Sequence, residues 1–221
     1  AFLVEPIQGE GGIIVPPPGY LAACAEICRR HQVLLIADEV QTGLGRTGSL
    51  LACQHEGIRP DGVILGKALG GGLLPVSAFL ADEAVMQVFT PGDHGSTFGG
   101  NALASSVALA ALDVLIDEDL VAHSATLGAY LHDRLRALQG RTPLITAVRG
   151  RGLFAGIEID PALGTAHDLA LRLLQRGILT KDTHHTVLRL APPLIISRSE
   201  LDWGLEHIEA ACMQLQQGVV V

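Results

Sequence analysis

The sequence is poor in aromatic residues, in charge and in long apolar runs. Of its 221 residues, 4% are aromatic and 17% are charged, and the formal net charge is −8. Without a run of lysine and arginine, this negative charge argues against nucleic acid and anionic membranes as partners. No uninterrupted apolar stretch reaches the roughly 18 residues needed to cross a bilayer. We therefore expect a soluble protein that binds neither nucleic acid nor membrane.

Cysteine and histidine are present, but in no pattern of a metal site or a disulfide framework. The cysteines at positions 24, 28, 53 and 212 include no C-x-x-C pair, and the nine histidines show no H-E-x-x-H spacing. A disulfide framework would also need a smaller and denser scaffold. We expect reduced, mostly buried thiols in a cytosol-like compartment, and no metal site.

Hydrophobic residues make up 48% of the chain, which is typical of a globular protein with a real core. Strands and helices alternate through the first half, and this alternation predicts a mainly parallel sheet. The predicted strands are AFLVEP, VLLIADE, DGVILGK and VSAFLAD. The predicted helices are PPPGYLAACAEICRRHQ, the short ACQHEG and the long ALASSVALAALDVLIDEDL.

The second half predicts a smaller α+β unit. Helices are expected at VAHSATLGAYLHDRLRALQG, at AHDLALRLLQRG and at SRSELDWGLEHIEAACMQLQQ, the last with a Ser-x-x-Glu cap at 197–200. ITAVRGRGLFAGIEI predicts two strands joined by a turn, and ILTKD and VLRLAPPLII predict further strands. We place the domains at 1–120 and 121–221.

Polar residues end two of the predicted strands. Asp38 and Glu39 close the second strand with Gln41 just beyond, and Lys67 closes the third before the glycines at 70–72. Open α/β sheets bind ligands beyond the carboxyl ends of their strands, so a carboxylate, an amide and an amine would face one crevice. The ordinary alternatives are a solvated loop lysine and a capping aspartate.

Five segments together carry a resemblance to a known family. They are LLIADEVQTGLGRTG, VILGKALGGGLLPVSA, HGSTFGGNALA, VEPIQGEGG and LRLAPPLII, and they run over nearly the whole chain. In this order they resemble the class III, pyridoxal-phosphate-dependent aminotransferases of fold type I, and most of all the branch that acts on ornithine. The resemblance implies a large-domain fragment of a mainly parallel α/β fold followed by a small α+β C-terminal domain.

The resemblance also implies an activity and a length. It implies transfer of the δ-amino group of ornithine to 2-oxoglutarate, with pyridoxal 5′-phosphate as cofactor. Acetylornithine or another ω-amine as donor stays open, as does a non-catalytic fragment. Family members are much longer, so we expect that the N-terminal segment, which grips the cofactor phosphate, is missing here. The isolated chain is then expected to be inactive.

Three residues take cofactor roles from the resemblance. Lys67 is implied to form the Schiff base and to move the proton afterwards, and the apolar strand end is expected to desolvate its amine and keep it neutral. Asp38 is implied to face the pyridine nitrogen and to keep the ring protonated. Gln41 is implied to donate to the ring oxygen, although an ordinary surface amide stays open.

The remaining roles concern phosphate and substrate. Ser96 and Thr97 are implied to reach the cofactor phosphate of the neighbouring subunit of a homodimer, while an ordinary turn with Asn101 capping the next helix stays open. Arg189 is implied to bind a substrate carboxylate, and Glu10 to pair with it and release it between substrates. The alternatives are a turn carboxylate for Glu10 and a domain-bridging salt bridge for Arg189. We expect a cytoplasmic protein, with a mitochondrial matrix parent left open.

Overall fold

A computed structural model describes residues 1–216 and groups them into two compact units. The first unit consists of Ala1–Pro6, Pro16–Gly45 and Ser49–Val121. The second consists of Ile7–Val15, Arg46–Gly48 and the chain from Ala122 onward. The domains expected at 1–120 and 121–221 stay a prediction for the whole protein, since the second unit also takes in two short early segments.

A four-stranded sheet forms the centre of the first unit. Its strands are β1 (Phe2–Val4), β2 (Leu35–Asp38), β3 (Gly62–Leu65) and β4 (Ala78–Ala81), in that spatial order. All four lie within the predicted strands. β1, β2 and β3 are parallel, as expected, whereas β4 runs antiparallel to β3. The connection between β3 and β4 contains one 3₁₀ turn at Lys67–Gly70 and no crossover helix. Parallel neighbours normally need such a helix, so the short connection reverses the chain.

The helices of the first unit are α1 (Tyr20–Arg30), the short α2 (Glu83–Met86) and α3 (Ala102–Asp117), with a further 3₁₀ helix at Ala52–Glu56. The N-terminus of α1 is capped from a distance, because the Glu56 carboxylate accepts the N–H groups of Gly19 at 3.2 Å and Ala22 at 3.0 Å. These groups have no partner within the helix, and a carboxylate also suits the positive end of the helix dipole.

The second unit contains an antiparallel sheet in the order β5-β6-β8-β7. The strands are β5 (Ile145–Arg151), β6 (Phe154–Ile159), β7 (Lys181–Thr183) and β8 (Val187–Leu190). β7 begins later than the predicted strand ILTKD. β8 ends at Leu190, whereas the predicted strand VLRLAPPLII runs on to Ile196, because Pro192 and Pro193 have no N–H to donate to a neighbouring strand.

Three helices pack on this sheet: α4 (Leu120–Gln139), α5 (Ala166–Leu174) and α6 (Arg198–Gln216). The predicted cap of α6 is confirmed, because the Ser197 hydroxyl accepts the Glu200 N–H at 3.2 Å and the Glu200 carboxylate accepts the Ser197 N–H at 2.8 Å. Gln217, the last residue of the predicted helix, lies outside the described residues. The core lies between helices and sheet and includes Leu131, Leu135, Leu153, Ile157, Ile159, Leu169, Leu173 and Leu188.

No helix within residues 1–216 combines the length and the apolar character of a membrane span.

Candidate active site

Asp38 is the last residue of β2 and lies beside β3. The register pairs Asp38 with Ile64, so the carboxylate is at the same sheet edge as the chain that leaves β3 toward Lys67. Asp38 is half-buried, and its Oδ1 accepts the Val40 N–H at 3.0 Å. The expected juxtaposition of the two strand ends is therefore present. Its role toward a cofactor stays a prediction.

Glu39 is the best-buried carboxylate of this edge, with 1% of its surface exposed. Its Oε2 accepts the N–H of Ala52 at 3.0 Å and the hydroxyl of Thr42, and its Oε1 accepts the Cys53 N–H at 2.8 Å. The side chain thus ties the loop after β2 to the first turn of the 52–56 helix. Burial, with the Glu39 charge as a further cause, raises the pKa of the Cys53 thiol to about 12. The sequence placed Glu39 at the strand end but assigned it no role.

Lys67 follows β3 with a backbone φ of +44°, an unusual value for a residue with a side chain. It begins the 3₁₀ turn at Lys67–Gly70. The residue is exposed, which differs from the desolvation expected for its amine. The apolar residues of β3 end at Leu65, and the glycines that follow the turn have no side chains to cover the amine. Within the described residues the lysine is presented at the sheet edge rather than enclosed there.

The other three cofactor candidates lie on loops. Gln41 is half-buried in the loop after β2. Ser96 and Thr97 belong to an exposed segment before α3, where the Ser96 hydroxyl accepts the Gly99 N–H at 3.0 Å. Asn101 caps α3 by accepting the Ala104 N–H at 2.9 Å. The turn and the helix cap of the alternative interpretation are therefore both present. A role of Ser96 and Thr97 in binding phosphate stays a prediction.

Glu10 and Arg189 lie together in the second unit. Arg189 NH1 donates to Glu10 Oε1 at 2.5 Å, so the expected ion pair is present. Lys181, which the sequence did not single out, lies with its Nζ 3.4 Å from Glu10 Oε2. The hydrogen bond from Arg189, assisted by Lys181, holds the pKa of Glu10 below its usual range.

Arg46 is a second residue whose position could not be inferred from the sequence. Its guanidinium donates to the carbonyl oxygens of Leu153 at 2.9 Å and Pro192 at 2.5 Å. The Ser124 hydroxyl donates to the backbone carbonyl of Arg46 at 3.2 Å. Burial lowers the pKa of Arg46 to about 10. These bonds hold the turn after β5 and the proline segment after Arg189 to one anchor. The glycine-rich surroundings of Arg46 were the only signal in the sequence.

The thiols are unpaired, as expected. All four cysteines are free, and Cys28, Cys53 and Cys212 are buried. Across residues 1–216, no three histidine, cysteine, aspartate or glutamate side chains are grouped closely enough to hold a metal ion.

Comparisons with known proteins agree along nearly the whole chain. The aminotransferase class-III family model matches residues 1–212. An ornithine aminotransferase of Bacillus subtilis is 54% identical over 209 residues, which are 95% of this chain and 51% of that protein.

Two solved structures extend the comparison. The ornithine aminotransferase of Toxoplasma gondii, in which pyridoxal phosphate partly occupies the active site, is 46% identical with a TM-score of 0.95, and covers 99% of this chain and 51% of that one. An acetylornithine aminotransferase of Elizabethkingia anophelis is 50% identical with a TM-score of 0.91, over 97% and 56% of the two chains.

The chain spans about half the length of the curated relatives it matches. Within that span, the family model covers nearly every residue and the relatives share about half of the amino acids. The chain therefore belongs to the class III aminotransferase family.

Proposed function

We propose that the whole protein transfers the δ-amino group of ornithine to 2-oxoglutarate, giving glutamate semialdehyde and glutamate. The observation that carries this proposal is the ion pair between Glu10 and Arg189. Because Arg189 is paired with Glu10, it can serve two kinds of substrate. One leaves the ion pair intact (closed), and the other breaks it by binding Arg189 with its own carboxylate. Such a device suits an enzyme that alternates between a diamino acid and a dicarboxylic oxo acid.

The residues at the edge of the first sheet fit pyridoxal 5′-phosphate by their chemistry. Lys67 supplies a primary amine that condenses with an aldehyde, Asp38 a carboxylate for a protonated ring nitrogen, and Gln41 an amide for a ring oxygen. Asp38 ends β2 and Lys67 lies just beyond β3, and neighbouring parallel strands such as these are about 4.8 Å apart. When bound, the cofactor supplies the electron sink for the carbanion at the reacting carbon.

Lys67 is proposed to hold the cofactor and to carry the proton on its Nζ. Only the neutral amine can condense with an aldehyde or accept a proton, and the ordinary lysine pKa is near 10.4. Because Lys67 is exposed in this chain, we expect further residues of the whole protein to cover its amine. Asp38 is proposed to supply the carboxylate for the ring nitrogen, and its Oδ1 also accepts the Val40 N–H at 3.0 Å.

Arg189 is proposed to bind the α-carboxylate of the oxo acid through its planar fork, which lysine could not match. With ornithine, Glu10 neutralises Arg189, so the arginine does not attract the substrate's carboxylate. Ser96 and Thr97 are proposed to contact the phosphate of a neighbouring subunit, which would make the protein a homodimer. A cytoplasmic location is part of the proposal, with a mitochondrial matrix parent as the alternative.

A second candidate is the same reaction on acetylornithine. The 50% identity to an acetylornithine aminotransferase favours it specifically. Initial rates of the whole protein on ornithine and on acetylornithine, at equal 2-oxoglutarate, separate the two. Faster turnover of acetylornithine would replace ornithine as the amino donor, and no turnover of either would refute the proposal.

The cofactor role of Lys67 has a direct test, in which Lys181, the other lysine of these 221 residues, serves as a control. Pyridoxal phosphate is added, the adduct is reduced with borohydride, and the labelled residue is mapped by mass spectrometry. We expect the label on Lys67 in the whole protein and none in Lys67→Arg. Lys181, also exposed, is the internal control for non-specific labelling. Equal label on both lysines would contradict a dedicated site.

A further inference from the structure

The Glu10 carboxylate is shared between two cations. One oxygen accepts from Arg189 at 2.5 Å, and the other lies 3.4 Å from the Lys181 amine. The two contacts use different oxygens, so neither cation displaces the other. An arginine-glutamate switch needs only the first contact, and the second asks for an explanation.

The sheet places both cations on one face. Lys181 of β7 pairs directly with Arg189 of β8 in antiparallel register. Residues directly opposite each other across two strands point to the same side, and like charges in that position repel. Glu10 offsets this repulsion, and the three groups together carry a net charge of +1.

Glu10 is delivered to this point by a fixed loop. Gln8 and Ile14 form an antiparallel bridge, with reciprocal N–H···O bonds of 3.0 Å on either side of the loop. The Arg149 guanidinium donates to the Gly12 carbonyl at 3.1 and 3.3 Å. The backbone that carries Glu10 is thus anchored independently of Arg189 and Lys181, so a change of partner is a change of side chain alone.

The two cations differ in exposure. The Arg189 side chain is 20% exposed, whereas those of Lys181 and Glu10 are 62% and 56% exposed. The Arg189 side chain is therefore largely shielded from solvent, whereas those of Lys181 and Glu10 are open to it. An anion that binds Arg189 would leave Glu10 beside a second negative charge. A cation that stays with Glu10 would offset the repulsion between the two.

We propose that Lys181 is a positioning residue that retains the Glu10 carboxylate when Arg189 turns to a substrate carboxylate. The proposal rests on the function proposed above. With Lys181 in place, the cluster changes from a net charge of +1 to 0 on binding one carboxylate. Without it, the same event takes the cluster from 0 to −1. Lys181 therefore favours the dicarboxylic oxo acid and leaves ornithine, which keeps the pair closed, unaffected.

The first test needs no activity and uses the whole protein. The Glu10 carboxyl group is titrated by ¹³C NMR in the wild type, Lys181→Gln, Arg189→Gln and the double variant. We expect Glu10 in Arg189→Gln to keep a pKa below its usual range, and to reach that range only in the double variant. A return to the usual range in Arg189→Gln alone would show that Lys181 does not hold the carboxylate. Lys181→Arg is the matched control and should titrate like the wild type.

The second test uses the kinetics of the whole protein. In Lys181→Gln we expect KM for 2-oxoglutarate to rise about twofold to fivefold, the range of an exposed ion pair. The kcat and KM for ornithine should be unchanged, and Lys181→Arg should restore the oxo-acid KM. Equal changes for both substrates, or none, would overturn the proposal. If the wild type does not use ornithine, the proposed function fails by itself, and the Glu10 titration still decides whether Lys181 retains the carboxylate.

Discussion

Replacing Glu39 with glutamine tests whether one buried carboxylate holds the loop that follows Asp38 and contains Gln41. Glutamine has the same shape but a single acceptor oxygen. The wild-type carboxylate accepts two backbone N–H groups and one hydroxyl through its two oxygens. The best orientation keeps the oxygen toward Ala52 and turns the amide NH₂ toward the Cys53 N–H. One buried donor then faces another donor.

The magnitude follows from these contacts. A hydrogen bond to a charged group contributes about 1.5–3 kcal/mol, and an unsatisfied buried donor costs about 1–3 kcal/mol. Removing a buried charge returns part of this, because its desolvation penalty disappears. We therefore expect Glu39→Gln to lower the free energy of unfolding by about 1.5–3 kcal/mol. The pKa of Cys53 should also fall from about 12, with burial still keeping it high.

Urea denaturation followed by circular dichroism measures the first effect, and thiolate absorbance during a pH titration measures the second. Glu26→Gln is the matched control, because Glu26 is an exposed carboxylate paired with Arg29 on α1 and should change the stability little. If the unfolding midpoints of the two variants coincide at equal m-values, the described role of Glu39 is wrong.

Three further predictions concern the second unit. Gly128→Ala should lower the unfolding free energy by about 1–3 kcal/mol despite its better helix propensity, because the new Cβ would lie 2.3 Å from the backbone of Gly152. Gly204→Ala, in α6 with open space around it, should raise the free energy of unfolding by about 1 kcal/mol. If urea denaturation shifts both glycine variants in the same direction, the close approach of Gly128 to Gly152 is contradicted. Ser197→Ala removes the cap of α6 and should lower the free energy of unfolding by about 1 kcal/mol in the same assay. An unchanged urea midpoint would show that the cap does not stabilise the protein. Burial lowers the pKa of His132, so the unfolded state binds more protons than the folded state. The urea midpoint of the wild type should therefore fall as the pH drops below about 6.5, and that of His132→Gln should fall less.

Local patterns predicted the elements well. The apolar runs of β1, β2 and β3, the amphipathic helices and the Ser-x-x-Glu cap each depend on residues within a few positions of one another. Asn101 and the proline pair after β8 act in the same local way. The residue order alone also indicated the family, because the matching segments follow one another along nearly the whole chain.

Only the tertiary structure decided which distant residues meet. The sequence separates Glu10 from Arg189 by 179 positions and Arg46 from Leu153 by 107. Lys181 became visible as a partner of Glu10 through the β7–β8 register, and Glu39 as an anchor through its burial. The direction of β4 and the exposure of Lys67 also depend on how strands pair and what covers their ends. Hydrophobic periodicity reports which face of an element is buried, but hydrogen bonds and ion pairs act over about 3–4 Å. The chain must be folded before it is known which groups come that close.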